Sequence, residues 1–251
     1  YKLDLPQGSD DLIDTGLMLM RETASELTIA EDAVNRERGI ILSERRARDT
    51  YALRNLVEQF RFLYAGMTLV DRMPIGTEEV IRQAPAKRLR DFYNDYYRPE
   101  RTTLIVVGDM DPQVMEAKIK ARFADWKPQG QGAPDPQLGL PDFNRTLAAD
   151  IFVDPAIQDV VSINYLRPYR DEPDSIAKRS RTVLENIGQN IIARRFGKIA
   201  SSEDAPIMGG GLSDSSGWKS FTQISLAAAA REGEWKSALE LLEQEQRRIL
   251  Q

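Results

Sequence analysis

Histidine and cysteine are both absent from this 251-residue chain. The two zeros exclude every Ser-His-Asp or Cys-His catalyst, every disulfide, and any zinc site built from this chain's own imidazoles or thiolates. Chemistry done by the chain alone must therefore use carboxylates, hydroxyls or amines. Long apolar runs are missing too. The longest, residues 104–107 and 224–230, are far too short to cross a bilayer, and no basic-then-apolar leader opens the chain, so no membrane span is expected. Neither sign of charge dominates: 34 Lys and Arg face 39 Asp and Glu, and the net of −5 repels nucleic acid and anionic membrane. A lack of cysteine suits oxidising and reducing compartments alike and does not place the protein.

What is present is a chain that is 41% apolar, long enough for one large or two medium domains with a real core. The composition breaks once, between Lys127 and Phe143, where four of the 13 prolines and three glycines fall. That stretch reads as an interdomain linker. Before it the pattern is mostly helical. Ser9, Asp10 and Asp11 open a helix whose apolar residues run to Leu27. A second helix starts at Thr28 or Glu31 and runs to Arg48, and a third covers 49–64. Pro74-Ile75-Gly76 makes a turn and 86–96 another helix. Residues 102–107 read as a buried β-branched strand, followed by a helix with Asp111 as N-cap and Pro112 at its first position, ending near Phe123. Capping accounts for Asp109 and Asp111 without a metal loop.

After the linker, 148–153 and 160–165 read as strands and 174–196 as a long helix. Residues 207–212 and 221–226 form a second strand pair around a Gly/Ser turn, and a last helix covers 232–250. Tyr1 to Leu5 alternate like a strand. With Tyr1 in place of Met and a helix running to the last residues, both ends read as cut through elements of a longer protein.

Residues 31–48 carry the most informative pattern. Glu37 and Glu44 lie two helical turns apart and share a face with Val34 and Ile41, the stripe that apolar residues mark as inward. Burying two carboxylates is costly unless a cation, a metal or hydrogen-bond donors compensate. Gly39 costs about 1 kcal/mol of helix propensity relative to Ala, tolerable where something approaches the backbone. The alternative is a solvated, Arg-rich helix whose Glu37 pairs with Arg38, Arg45 or Arg48. Two weaker patterns have plainer explanations. Ser216-Gly217-Trp218-Lys219 fits S-x-x-K by chance, and Gly209-Gly210-Gly211 lacks the ending of a phosphate loop and suits a hairpin or strand edge.

The run Glu37-Arg38-Gly39-Ile40-Ile41-Leu42-Ser43-Glu44 resembles the distal part of the zinc site of the M16 metallopeptidases, the inverzincin family of pitrilysin, insulin-degrading enzyme and mitochondrial processing peptidase. Tyr1 to Pro6 is similar to that family's Y-x-L-x-x-P strand, and Pro74-Ile75-Gly76 to its proline-glycine turn. Residues 92–99 and 107–112 resemble its F-Y-x-x-x-Y-x-P and V-G-D-x-D-P signatures. These motifs cover most of residues 1–126; residues 146–251 resemble the start of the next repeat domain only loosely.

The resemblance implies an α+β protein of two M16-type domains, each a mostly antiparallel sheet packed against helices and both incomplete. The C-terminal part of the zinc-site domain would span 1–126, a Pro/Gly-rich linker 127–145, and the N-terminal part of the second repeat 146–251. It implies Glu44 as a Zn²⁺ ligand and Glu37 as the carboxylate behind it that orients the site. The family's H-x-x-E-H, whose Glu is the general base, is absent here and is expected upstream of Tyr1. No catalytic residue is therefore expected in this chain, which alone would hold no zinc and cleave nothing. The parent would be a zinc endopeptidase acting on peptides or unfolded polypeptides, with its remaining domains or a partner M16 subunit around it. Family analogy points to a bacterial periplasm. The alternative is a non-catalytic M16-like partner or scaffold that binds polypeptide without hydrolysing it.

Overall fold

The computed structural model describes residues 1–249. The chain divides into two compact units, residues 1–47 with 74–136, and residues 48–73 with 137–251. The class is α+β.

The first unit is helical among the described residues. It contains α1 (Asp10–Ser25), α2 (Glu31–Arg48), α4 (Glu78–Gln83), α5 (Ala86–Tyr96) and α6 (Pro112–Phe123), with α3 (Tyr51–Leu63) belonging to the other unit. Local chemistry sets the boundaries. Asp111 accepts hydrogen bonds from the Gln113 and Val114 amides at 2.7 and 3.1 Å, with Pro112 at the first position, so Asp111 is accounted for as the N-cap of α6. Thr77 caps α4, a six-residue helix too short to leave a periodic signal. Ser9 has the extended backbone of an N-cap but makes no side-chain capping bond.

Two expected strands do not form in this unit. Tyr1 to Leu5 stay outside any ladder; Leu3 and Leu5 instead lie against Gly16 of α1, where a Cβ would meet them at 3.4 to 3.5 Å. Residues 102–107 are likewise unpaired, and Ile105 and Val107 are 78% and 89% exposed. β-branched residues favour a strand only where another strand supplies the hydrogen bonds, and no such neighbour lies beside this run among the described residues.

The Pro/Gly-rich stretch is anchored. Arg98, 5% exposed, donates to the carbonyls of Gln129 and Gly130 at 2.9 and 2.8 Å, and Arg101 donates to that of Ala133 at 2.6 Å. A Cβ on Gly132 would fall 2.7 Å from the Arg98 side chain.

The second unit holds the sheet. β1 (Val160–Pro168), β2 (Ile207–Gly217) and β3 (Phe221–Ala230) are antiparallel in the order β1-β3-β2, with Val160 opposite Ala229 and Gly217 opposite Phe221. Helices α7 (Ile176–Ala200) and α8 (Trp235–Ile249) supply Phe196, Ala238 and Leu242 to a core with Ile207, Leu226, Ala228 and Ala230. The alanines of β3 leave room for these large side chains. Gly210 has the same role: a Cβ there would sit 2.7 Å from Phe196 and 2.6 Å from the Ala227 carbonyl oxygen.

A second cluster joins Tyr64 and Met67 to Phe221, with Phe60, Phe143 and Leu166 around them. Thus α3, which precedes the Pro/Gly stretch in sequence, packs with residues that follow it. The Tyr64 and Phe221 rings are 4.5 Å apart, the Tyr64 hydroxyl donates to Gln223, and Gln223 donates to Asn164 at 2.8 Å.

Here the expected strand at 148–153 is also missing, and Ile151 and Val153 face solvent. The hairpin between β2 and β3 is tighter than a Gly/Ser loop from 213 to 220. β2 continues through Gly217, and the turn closes with the Ser220 amide donating to the Gly217 carbonyl at 2.8 Å, Trp218 and Lys219 both at positive φ. The last helix reaches Ile249; its expected end at Leu250 lies outside the described residues.

Candidate functional site

Glu37 and Glu44 both lie on α2, two turns apart on one face, as their spacing requires. Their expected inward orientation does not occur. Both side chains are exposed, and α2 has no buried residue at all. The apolar stripe that suggested a buried face is only partly covered: Val34 and Ile41 are half-buried while Ile40 is open.

What holds α2 is the adjacent stripe, Glu31, Arg38 and Arg45, spaced by the same seven residues. The Glu31 carboxylate accepts a hydrogen bond from the Ala86 amide at 3.2 Å, at the first residue of α5. Arg38 donates through Nη1 to the Ile81 carbonyl at 2.5 Å, through Nη2 to the Ala84 carbonyl, and through Nε to Asn35 Oδ1 at 3.0 Å. Arg45 Nε reaches the Gly76 carbonyl at 3.4 Å. Just before the helix, the Ile29 carbonyl accepts from Arg90 at 2.7 Å, and Ile29 takes a φ of +45°, a costly conformation for a β-branched residue.

The surrounding field is mixed. The Arg36 guanidinium hydrogen-bonded to Asp32 holds that carboxyl below its usual range, and Arg82 does the same for Glu78, helped by Arg45 and Arg46. Gly39 has open space where a Cβ would stand, and its carbonyl accepts from the Ser43 hydroxyl at 2.9 Å.

Sequence reasoning gave no sign of a polar cavity of about 290 Å³ in the same unit, lined by Arg21, Tyr93, Tyr97, Arg98 and Trp126 among others. Arg21 pairs with Glu26 at 3.0 Å, lies 3.6 Å from Asp125 and stands over the Trp126 ring at 5.6 Å. Tyr97 donates to or accepts from Tyr1 at 2.7 Å; that bond, with desolvation, pushes its hydroxyl up to about 12. Arg98 is matched by Glu100 and by carbonyls of the unit itself, whereas Arg21, although paired through Nη1 with Glu26, has a buried Nε without a hydrogen-bond partner. Of the weaker sequence patterns, Lys219 stands 3.9 Å from Asp171 at a hairpin tip, and of the three glycines in β2 only Gly210 lies where a Cβ would clash, while Gly209 has open space.

As to a metal, a carboxylate oxygen is a proper zinc donor, so Glu44 fits one corner of a site. It cannot be a whole site: the chain has no imidazole or thiolate, and no cluster of three acidic residues stands ready for a metal among the described residues.

Residues 84–180 match the family described as the peptidase M16 inactive domain. Over that segment the chain is similar to M16 peptidases. It is 26% identical over 208 residues to a zinc protease PQQL-like protein of Arabidopsis thaliana, covering 82% of this chain and 22% of that protein. Over 120 residues it is 32% identical to the probable zinc protease PqqL of Escherichia coli K12, covering 48% of this chain and 13% of that one. The chain thus spans less than a quarter of the length of either relative. In fold it is similar to the ferredoxin protease FusC solved with Arabidopsis ferredoxin, at a TM-score of 0.74 and 24% identity, covering 90% of this chain and 25% of that one.

Proposed function

We propose that this chain is part of a zinc-dependent M16 endopeptidase that cleaves peptides or unfolded polypeptides. In this reading Glu44 is a zinc ligand and Glu37 the carboxylate that orients the site. Residues 1–126 belong to the zinc-site domain, 127–145 link the domains, and 146–251 begin the next repeat. The observation that carries it is the pair Glu37 and Glu44, presented on one exposed face of a helix whose neighbouring stripe is spent on holding it in place. The metal, when bound, supplies Lewis acidity and an activated water. This chain supplies one ligand and its support, and the remaining ligands and the general base come from elsewhere in the parent. A periplasmic location accords with the description of E. coli PqqL, a structural neighbour at a TM-score of 0.73 and 20% identity, as a periplasmic protease.

The test is zinc content and peptide cleavage, measured on the 251-residue chain and on the longer protein that contains it. The chain alone is expected to bind no stoichiometric zinc and to turn nothing over. The longer protein is expected to do both and to lose zinc on Glu44→Ala. Stoichiometric zinc held by the isolated chain through Glu44, or real turnover by it, overturns the proposal.

A second reading is favoured by the matched family description, that of an inactive-type domain, over 84–180. It makes the parent a non-catalytic M16-like subunit that binds polypeptide. Because that match lies outside α2, a longer protein that binds peptide but neither zinc nor water-attacked product would select it.

A further inference from the structure

The sequence repeats an acid-base pair at a spacing of seven, Glu37-Arg38 and Glu44-Arg45. The two halves of each pair do different things. The acids face solvent, while the bases, with Glu31 one heptad earlier, grip the segment from Gly76 to Ala86.

That grip uses the ends of two other helices. Ile81 lies in the last turn of α4 and Ala84 is its C-cap, so their carbonyls are among those a helix leaves without an internal partner. The Arg38 guanidinium satisfies both at once, at the end where the helix dipole favours a cation. Glu31 does the converse at the start of α5, where an anion is favoured and the Ala86 amide lacks a partner. A planar five-donor fork can meet two carbonyls and Asn35 together, whereas a single ammonium cannot.

α2 has no fully buried side chain; Ala33, Val34, Ile41 and Leu42 are half-buried, and undirected apolar contact of this kind fixes a helix's rotation less sharply than a directional hydrogen bond does. A helix free to roll by one residue moves its side chains by about 100°. With Arg38 seated, the stripe one residue earlier is fixed in direction.

We infer that Arg38 is the positioning residue of the site: by capping α4 it sets the roll of α2 and therefore where Glu37 and Glu44 point. The inference rests on the zinc reading of Glu44 given above.

It is tested in the longer protein by hydrogen exchange over residues 31–48 and by zinc affinity measured against a competing chelator. The variants are Arg38→Met, Arg38→Lys, Glu31→Gln, Glu44→Ala and Arg36→Met. Arg38→Met is expected to speed exchange in α2 at least about tenfold, to leave α3 unchanged, and to weaken zinc binding about tenfold, the scale of losing a residue that supports a ligand. Arg38→Lys restores part of both and Glu31→Gln gives a smaller loss of each; these two serve if Arg38→Met fails to fold. Arg36→Met changes neither, since Arg36 pairs only with Asp32 on the exposed surface of the same helix. Unchanged exchange in Arg38→Met overturns the inference. So does faster exchange with zinc affinity intact while Glu44→Ala loses zinc, which leaves the zinc reading standing. Zinc affinity intact in Glu44→Ala overturns the zinc reading itself, and the role assigned to Arg38 with it.

Discussion

The core of the sheet unit and helix α2 of the helical unit are held by different physics. In the sheet unit, Phe196, Ile207, Phe221 and Leu242 are essentially inaccessible, and small residues on β2 and β3 are spaced to admit them. In the helical unit, α2 has only half-buried apolar side chains and is fastened by charged side chains on backbone groups of α4, α5 and the turn at Gly76. Apolar burial is undirected and scales with area, whereas a guanidinium on two carbonyls is directional and specifies an angle. The contrast separates a part that supplies stability from a part that supplies orientation, and the candidate site stands on the second.

The sharpest break of this comparison is Phe196→Ala. It opens a cavity where α7, β2 and β3 meet and should cost the sheet unit about 3–5 kcal/mol, read as a lower denaturant midpoint for probes in β1 to β3. Exchange protection in α2 should stay the same. Parallel loss in both units would mean that they unfold as one.

Next is a buried charge of the sheet unit. Glu245 of α8 is 0% exposed and pairs with Arg195 of α7 and with Arg248 at 2.7 Å. Replacing both arginines by methionine strands a buried carboxylate and should cost about 3 kcal/mol, while adding Glu245→Met should recover most of it. If the triple variant is no better than the double, the pair has a role beyond neutralising a buried charge.

Much of this architecture was legible in the sequence because it is local. Helix α5 and the capped start and end of α6 follow from periodicity, Pro112 and Asp111, and β1 and β3 from their apolar runs. The three segments misread as strands, 1–5, 102–107 and 148–153, have strand composition but no strand beside them, and pairing is a non-local property. The Pro/Gly stretch reads as a linker from its composition, yet nothing in Arg98 foretold that it would be buried to hold it. At the site, the spacing of Glu37 and Glu44 was plain and their shared face followed. Which face of α2 is tied down was not, because residues 37–38 and 44–45 carry acid and base side by side, and only the position of Ile81 and Ala84 shows that the bases do the holding.

Two smaller effects sharpen the picture of the helical unit. Gly39→Ala meets open space and should stabilise α2 by about 1 kcal/mol, seen as slower exchange across 31–48. If the longer protein instead loses zinc affinity with this change, something outside this chain approaches α2 at Gly39.

The smallest effect is alkaline. The Tyr97 hydroxyl is raised from 10.0 to about 12, first by its hydrogen bond with Tyr1 and then by desolvation. A raised pKa means that the folded state keeps the proton after the unfolded chain has released it. Its contribution is therefore complete below pH 10 and is lost as pH climbs toward 12. Denaturant titrations of the wild-type chain should show extra loss of stability in that window. In Tyr1→Phe the loss should shrink, because the largest cause of the shift is gone while the desolvation remains. An unchanged alkaline limb in Tyr1→Phe would assign the shift to burial in the Arg21 cavity and not to the Tyr1 contact.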